Sequence, residues 1–208
     1  GAKIAITGRN QSKIDHTLSV LRSEGIDCLG ILAEAGSEED NRRMAEEVVA
    51  HHGKIDILIN NAGISMRALF QDLDLEVFRK VMDTNFWGSV YASKYCLDEI
   101  LKHKGAIIAI SSVNGFRGTP ARTAYTASKY AMNGFFESLR TEVMKQGVHV
   151  LVACPGFTAS NIRKNALLAD GSTQSESPRE ETKMMTSDEV AVAILKATLR
   201  RKRDLVLT

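Results

Sequence analysis

The fold is decided by the stretch GAIIAISS at residues 105–112. A glycine that can close a helix comes first, an apolar run from Ala106 to Ile110 follows, and two serines end the stretch. A short apolar run between turn signals predicts a strand that is buried on both faces. Open α/β sheets bind their ligands just outside the carboxyl ends of such strands. The stretch therefore predicts an α/β sheet with Ser112 at its binding edge.

Two more predicted strands end in small or polar residues. The sequence NNAG at residues 60–63 follows a strand predicted over 55–59, and the Pro155-Gly156 pair follows a strand predicted over 148–154. The carboxyl ends of parallel strands meet at one edge of a sheet. We therefore expect the three strand ends to form one rim.

Helical stretches alternate with strands along the chain, which predicts parallel β-α-β units. Capping patterns indicate that helices begin after Ser37 and after Thr186. Four glycines stand between a helical stretch and an apolar run, where a left-handed residue typically closes the helix. These glycines are Gly25, Gly53, Gly105 and Gly147.

Tyr125 and Lys129 are four residues apart, so they lie on the same face of a predicted helix. A nearby ammonium favours the ionised form of a phenol and would bring its pKa closer to neutral pH. A tyrosine and a lysine at this spacing also occur as an ordinary helix face. The upstream Ser112 favours the chemical interpretation, because a hydroxyl at a strand end can hold a substrate oxygen.

Composition favours a globular enzyme domain over other classes. The 208 residues carry a net charge of +2, which gives no reason to expect nucleic-acid binding, and the sequence holds no long apolar run that would predict a membrane segment. Three scattered cysteines and five histidines lack the spacing of a disulfide framework or a metal site, so no metal is expected. These features predict a cytoplasmic protein.

Five motifs occur in the order typical of one family. They are NNAG at 60–63, Asn85 within TNFWG, Ser112, Tyr125 with Lys129, and Pro155-Gly156. Together they resemble the short-chain dehydrogenases/reductases whose active site is built from Asn, Ser, Tyr and Lys. The resemblance runs nearly end to end and implies a Rossmann-like, doubly wound parallel sheet in a three-layer α/β/α single domain, residues 1–208.

The resemblance also implies a role for each residue of the active site. Tyr125 would exchange a proton with the substrate oxygen while the nicotinamide exchanges hydride with the carbon, and Ser112 would hold that oxygen. Lys129 would lower the pKa of the tyrosine and bind the nicotinamide ribose, and Asn85 would hold a water that links the lysine to solvent. The remaining cofactor contacts would come from Asn61, Ala62, Gly63, Pro155, Gly156 and Thr158.

The choice of cofactor is predicted from the strand that ends at residues 7–10, TGRN. Folds that select NAD place a carboxylate there for the ribose 2′-hydroxyl, and folds that select NADP offer a cation to the 2′-phosphate. Arg9 therefore predicts NADP(H). The family usually has Asp or Asn before a small residue at the adenine, whereas Glu34 precedes Ala35 here.

The chain lacks the glycine-rich turn with which the family binds the cofactor pyrophosphate. Gly1 and the apolar run at 3–7 resemble a helix-capping glycine and its strand, without the helix that the glycine would close. The first β-α unit of the family is thus absent from this sequence, and the sheet would have a gap at its centre. Either the chain is part of a longer protein, or it is a catalytically silent binding or regulatory module.

Substrate identity is left open by the sequence, beyond a small-molecule carbonyl or alcohol. Residues 157–187 are long and polar, and they predict a substrate-binding lid. An apolar wall would come from Met66, Val113, Phe116, Phe157 and Leu167. A related enzyme that uses the same tyrosine and lysine for epimerisation or dehydration is a further alternative.

The resemblance further implies a homodimer or homotetramer. The predicted interface consists of the helix from about Leu75 to His103 and the helix from Tyr125 to Gln146. Phe135 and Phe136 of the second helix are the predicted contact residues.

Overall fold

The computed structural model describes residues 1–176 and 184–208. Strands and helices alternate throughout, as the glycine and capping pattern predicts. The strands are β1 (Ile4–Gly8), β2 (Cys28–Leu32), β3 (Ile57–Asn60), β4 (Ala106–Ile110), β5 (His149–Pro155) and β6 (Asp204–Leu207). The helices are α1 (Gln11–Ser23), α2 (Glu38–His52), α3 (Leu75–Met82), α4 (Gly88–His103), α5 (Thr123–Val143) and α6 (Ser187–Leu199).

All strand pairs are parallel, but they form two sheets. The larger sheet has the order β3-β4-β5-β6, and β1 pairs with β2 in a second sheet. The doubly wound order would place one more strand between β1 and β3. Ile57 and Ile59 of β3 are accordingly more than half exposed. The predicted α/β parallel fold is confirmed, and its sheet is divided where the sequence predicts a gap.

Helices cover both faces of the larger sheet. Along β4, Ile107 packs in the main core with α2, α4 and α5, whereas Ile108 packs with Ala197 of α6 on the opposite face. Side chains of a strand alternate between faces, so a continuous apolar run is needed to fill both cores. In the smaller sheet, α1 packs through Ile14 and Leu18. The result is the predicted three-layer arrangement.

Three of the four predicted glycine caps have the expected backbone. Gly25, Gly53 and Gly147 have φ values of 75°, 83° and 85°. Gly105 does not, because Lys104 takes the left-handed conformation at φ 49° instead. Gly105 is required for another reason: a Cβ there would lie 2.1 Å from the Asp56 carbonyl oxygen.

The predicted long helix from Leu75 to His103 is divided into α3 and α4 by a π-helical turn, Asp83–Trp87. A π-turn inserts an extra residue into a helix and is frequent at functional sites. It places Asn85, with no exposed surface, against the segment that follows β3. The capping prediction at Ser37 is confirmed, as is the capping box between Thr186 and Glu189.

Candidate active site

A cavity of about 740 Å³ opens at the carboxyl ends of β3, β4 and β5. The three strand ends thus form one rim, as the sequence predicts. Eight of the predicted site residues line this cavity: Asn61, Gly63, Ser112, Tyr125, Lys129, Pro155, Gly156 and Thr158. Five others do not line it: Arg9, Glu34, Ala35, Ala62 and Asn85.

Tyr125 and Ser112 meet at the cavity wall. Ser112 lies directly after β4 and is 7% exposed, and Tyr125 is in the first turn of α5. Burial raises the pKa of the Tyr125 phenol above its usual value, while a hydrogen bond with Ser112 and the charge of Arg122 lower it. Burial is the largest effect, so the phenol remains protonated at neutral pH. The pair can therefore offer a proton to an oxygen in the cavity.

Lys129 lies beneath this wall, one turn further along α5. Its ammonium donates a hydrogen bond to the Ile110 carbonyl oxygen at 2.8 Å and lies 5.8 Å from the centre of the Tyr125 ring. Burial lowers the pKa of Lys129 to about 8. The effects that set the pKa of Tyr125 include burial, the hydrogen bond with Ser112 and the charge of Arg122. The effect of the lysine on the tyrosine stays a prediction, and the Lys129 ammonium is held at the end of β4.

Asn85 supports the site from behind the cavity wall. Its side chain accepts a hydrogen bond from the Ile64 N–H at 2.8 Å and donates to the Ile64 carbonyl at 2.9 Å. It also donates to the Ser128 hydroxyl at 2.9 Å. Asn85 therefore fastens the loop after β3 to α5, the helix of Tyr125 and Lys129. In this geometry the amide has direct protein partners at both its oxygen and its nitrogen.

Glycines contribute to the lining of the cavity. A Cβ at Gly63 would lie 3.4 Å from the Asn85 amide oxygen and 3.7 Å from the Lys129 ammonium nitrogen, so a glycine leaves this space open. Pro155 and Gly156 also line the cavity. Thr158 follows them, and its hydroxyl is 3.4 Å from the Gly156 carbonyl.

The residues predicted to select the cofactor lie together at the carboxyl ends of β1 and β2. Arg9 forms an ion pair with Glu34 at 3.7 Å, and both side chains are about half exposed. Such pairs contribute little, about 0–1 kcal/mol, and a stronger anion can replace the carboxylate. The backbone of Ala35 is held by the Asn41 amide, which donates to its carbonyl at 2.8 Å.

The sequence reasoning missed a group of arginines. Arg67, Arg122 and Arg163 line the cavity together with Lys129, and no Asp or Glu of residues 1–176 and 184–208 lines it. Arg122 donates a hydrogen bond to the Ser65 hydroxyl, and Arg163 donates to the Thr158 carbonyl at 2.6 Å. Arg122 lies three residues before Tyr125, a helical spacing that could have been recognised in the sequence.

The predicted apolar wall is correct only in part. Val113 and Phe157 line the cavity. Met66 and Leu167 are instead buried in a separate core cluster, and Phe116 is not among the lining residues. Part of the predicted lid, residues 177–183, lies outside the described residues. Its flanks border the cavity through Phe157, Thr158, Ser160, Ile162, Arg163 and Ser187.

The three cysteines, Cys28, Cys96 and Cys154, are free and buried. Burial raises the pKa of the Cys96 thiol to about 12, which makes it a poor nucleophile.

Among the described residues, none of the helices combines the length and the apolar character that crossing a bilayer requires.

Comparison with known proteins decides the family. The family model described as "short chain dehydrogenase" matches residues 1–170. The chain belongs to the short-chain dehydrogenase/reductase family. The predicted family is thereby confirmed, and it is a family of oxidoreductases.

Curated relatives cover the whole of this short-chain dehydrogenase/reductase. "Dehydrogenase/reductase SDR family member 7B" of Xenopus laevis is 32% identical over 214 residues, and the protein of that name from Rattus norvegicus is 35% identical over 218 residues. "11-beta-hydroxysteroid dehydrogenase A" of Arachis hypogaea is 33% identical over 215 residues. Each alignment covers 100% of this chain, but only 66%, 66% and 61% of the relatives.

Two solved structures share the fold. An alcohol dehydrogenase from Thermococcus sibiricus, complexed with 5-hydroxy-NADP, has a TM-score of 0.84 at 17% identity and aligns over 99% of this chain and 85% of its own. A short-chain dehydrogenase/reductase from Burkholderia phymatum, in complex with NAD, has a TM-score of 0.87 at 19% identity and aligns over 99% and 80%. Identities this low support the fold alone.

Proposed function

We propose that this short-chain dehydrogenase/reductase is an NADP(H)-dependent oxidoreductase that transfers hydride between the nicotinamide and a carbonyl or alcohol substrate. The observation that carries the proposal is the arrangement of Ser112, Tyr125 and Lys129 around one cavity at the strand ends. The family of the chain is an oxidoreductase family. The relatives named as dehydrogenases support the same reaction class.

In the proposed reaction each side chain has one task. The substrate oxygen binds between Ser112 and Tyr125, which are joined by a hydrogen bond before substrate arrives. Tyr125 donates its proton to that oxygen in reduction and recovers it in the reverse direction. A bound nicotinamide supplies or accepts the hydride. Because burial raises the pKa of the phenol, Tyr125 carries at neutral pH the proton that carbonyl reduction requires.

Lys129 and Asn85 position the reacting groups. The Lys129 ammonium faces the space above Gly63, where a ribose hydroxyl would bind. Asn85 fixes the Ile64 backbone and Ser128, so the loop after β3 and helix α5 hold a constant spacing. We place the proton path to solvent near Lys129, as the family resemblance implies.

Selection of NADP(H) is proposed from Arg9. Its guanidinium follows β1 at the predicted adenosine end, and among the described residues its one ion pair is the exposed contact with Glu34. A 2′-phosphate carries more charge than the carboxylate and matches the guanidinium fork. The structural neighbours contain 5-hydroxy-NADP in one case and NAD in the other, so Arg9 carries this part of the proposal.

We propose that residues 157–187 form a substrate-binding lid, since their described part borders the cavity.

We also propose that the protein forms a homodimer or homotetramer through α4 and α5. Phe136 has no exposed surface and cannot take part in the contact as predicted. Tyr130, 46% exposed on α5, and Trp87, 43% exposed before α4, are the better contact residues.

The alternative function is a silent binding or regulatory module. It is kept as the second candidate because, in the described part of the chain, β1-β2 and β3-β4-β5-β6 are two separate sheets. Titration with NADPH, followed by nucleotide fluorescence, separates the two functions. Saturable binding is expected for the oxidoreductase, and the silent module would show none.

The catalytic assignment has its own test. Tyr125→Phe is expected to reduce carbonyl reduction about 10²–10⁴-fold, the usual contribution of a general acid, while NADPH affinity stays within about twofold. Tyr95→Phe is the matched control, because the Tyr95 hydroxyl donates to Glu38 and Tyr95 does not line the cavity. Turnover retained by Tyr125→Phe would show that the acid lies elsewhere.

A further inference from the structure

Asp27, His51 and His52 meet at the end of the smaller sheet that is opposite to Arg9. Asp27 directly precedes β2, and the two histidines are the last residues of α2. One potential ligand atom from each residue lies within 4.8 Å of the other two. This cluster could not be expected from the sequence, because Asp27 is 24 positions from His51 and the three residues match no metal-binding spacing.

The cluster brings three potential donor groups close together. The His51 Nε2 atom and the His52 Nδ1 atom each lie 3.9 Å from a carboxylate oxygen of Asp27. The two imidazole rings are 4.6 Å apart and nearly perpendicular, at 79°. At 3.9 Å these contacts are too long for hydrogen bonds. The three groups face one another without bonding directly.

The buried nitrogen of His52 is the observation that points to a ligand. The His52 side chain is 5% exposed, and among the described residues its Nδ1 atom has no hydrogen-bond partner. Its other nitrogen, Nε2, lies 3.3 Å from the Ile4 carbonyl oxygen. A carbonyl only accepts, so Nε2 carries the hydrogen, and in the neutral imidazole Nδ1 then presents a lone pair. This is the pattern by which a backbone carbonyl orients a metal-ligating histidine.

We propose that Asp27, His51 and His52 form a binding site for a divalent transition-metal ion, with Zn²⁺ as its best match. Two imidazole nitrogens and one carboxylate are ligands that Zn²⁺ accepts, with a water as the fourth. Tetrahedral ligands at about 2.0–2.1 Å from zinc are about 3.3 Å apart, so the donors need to close by about 1 Å. The cluster lies at the C-terminus of α2, where the helix dipole is negative and favours a cation.

The consequence of binding would be structural. The Ile4 N–H donates to the Asp27 carbonyl at 2.9 Å, and His52 donates to the Ile4 carbonyl. A metal at the cluster would therefore join the beginnings of β1 and β2 to the end of α2. It would stabilise the smaller sheet, whose β1 edge has no second strand beside it in the described part. The site does not depend on the proposed catalytic function.

Isothermal titration of the chelator-treated 208-residue protein with ZnCl₂ tests the proposal. We expect one Zn²⁺ per chain, and we expect Asp27→Asn and His51→Gln, both at exposed side chains, to weaken binding at least about tenfold each. A melting temperature that rises with Zn²⁺ should accompany binding in the unmodified protein and be lost in both variants. Co²⁺ should give the visible absorption of a tetrahedral site.

His103→Gln is the matched control, because His103 also ends a helix and has a carboxylate nearby, Glu99 at 3.6 Å, but has no third donor in the part of the chain that the structure describes. Zinc affinity should be unchanged in this variant. The proposal is overturned if the unmodified protein does not bind Zn²⁺ stoichiometrically. It is also overturned if Asp27→Asn and His51→Gln bind as tightly as the unmodified protein, because the ion would then lie elsewhere.

Discussion

Arg122 acts on Tyr125 from three residues earlier in the chain, and its positive charge lowers the pKa of the phenol. Arg122 is the residue that precedes α5, and its guanidinium donates a hydrogen bond to Ser65, which is 3% exposed. The charge is thus held in place by the loop after β3. It opposes the effect of burial, which raises the same pKa. The proton affinity of Tyr125 results from this balance.

Replacing Arg122 by Gln should raise the pKa of Tyr125, since the favourable charge for the phenolate is lost. Alcohol oxidation needs the phenolate, so the rise of its rate with pH should shift to higher pH in Arg122→Gln. A pH profile of kcat measures this shift. Arg67→Gln is the control, because Arg67 lines the cavity but is not among the groups that act on the phenol. Superimposable profiles for Arg122→Gln and the unmodified enzyme would contradict the assignment.

Arg9→Asp should weaken NADPH binding about 10–100-fold and change NADH binding little. The lost interaction is a charge-assisted hydrogen bond to the 2′-phosphate, about 1.5–3 kcal/mol, and NADH has no such phosphate. Fluorescence titration with both nucleotides gives the two affinities. Glu34→Gln is the companion variant: it removes the exposed ion pair at 3.7 Å and should leave NADPH binding equal or slightly tighter. An equal loss of both nucleotides in Arg9→Asp would refute the role of Arg9.

Lys129→Met should stabilise the cofactor-free protein at pH 7, by up to about 3 kcal/mol. Burial lowers the pKa of Lys129 from 10.5 to about 8 in the folded state, so the unfolded chain binds more protons between these values. The free energy of unfolding of the unmodified protein therefore increases relative to that of Lys129→Met as pH rises from about 8 to 10.5. The advantage of the variant becomes smaller over this range. Urea unfolding at pH 7, 9 and 10.5 measures it. A difference that does not change with pH would show that folding does not lower the pKa of Lys129.

Much of the fold could be predicted because local signals agree with the tertiary structure. The run Ala106–Ile110 forms β4 over the predicted residues, since its side chains fill a core on each face. The prediction failed where a contact between distant segments decides the conformation. At Gly105 the carbonyl of Asp56 excludes a side chain, and the left-handed turn moves to Lys104.

In the site, too, local patterns could be predicted and contacts between distant segments could not. Strand ends and helical spacing predicted that Ser112 and Tyr125 share a cavity. The direction of a long side chain could not be predicted, and Lys129 reaches the Ile110 carbonyl instead of the phenol. The cluster of Asp27 with the histidines at the end of α2 could not be predicted either, because it depends on how β1, β2 and α2 pack against one another.

Ile59 and Ile108 are directly paired across β3 and β4, yet they should contribute very differently to stability. Ile108 is 1% exposed beneath α6, and Ile59 is 56% exposed on the strand at the open edge. Ile108→Ala should lower the free energy of unfolding by about 2–5 kcal/mol through lost burial and a cavity. Ile59→Ala should cost less than about 1 kcal/mol, as is usual for exposed positions.

Urea unfolding of both variants, with equal slopes as the condition for comparison, measures the two losses. Each variant is the control for the other, because Ile59 and Ile108 are paired positions of adjacent strands and both substitutions remove the same atoms. Similar losses would contradict the open edge, since Ile59 would then have to be covered in solution. A segment that covered Ile59 would lie between β1 and β3, where the doubly wound order has another strand. It would then pair with the edges of β1 and β3.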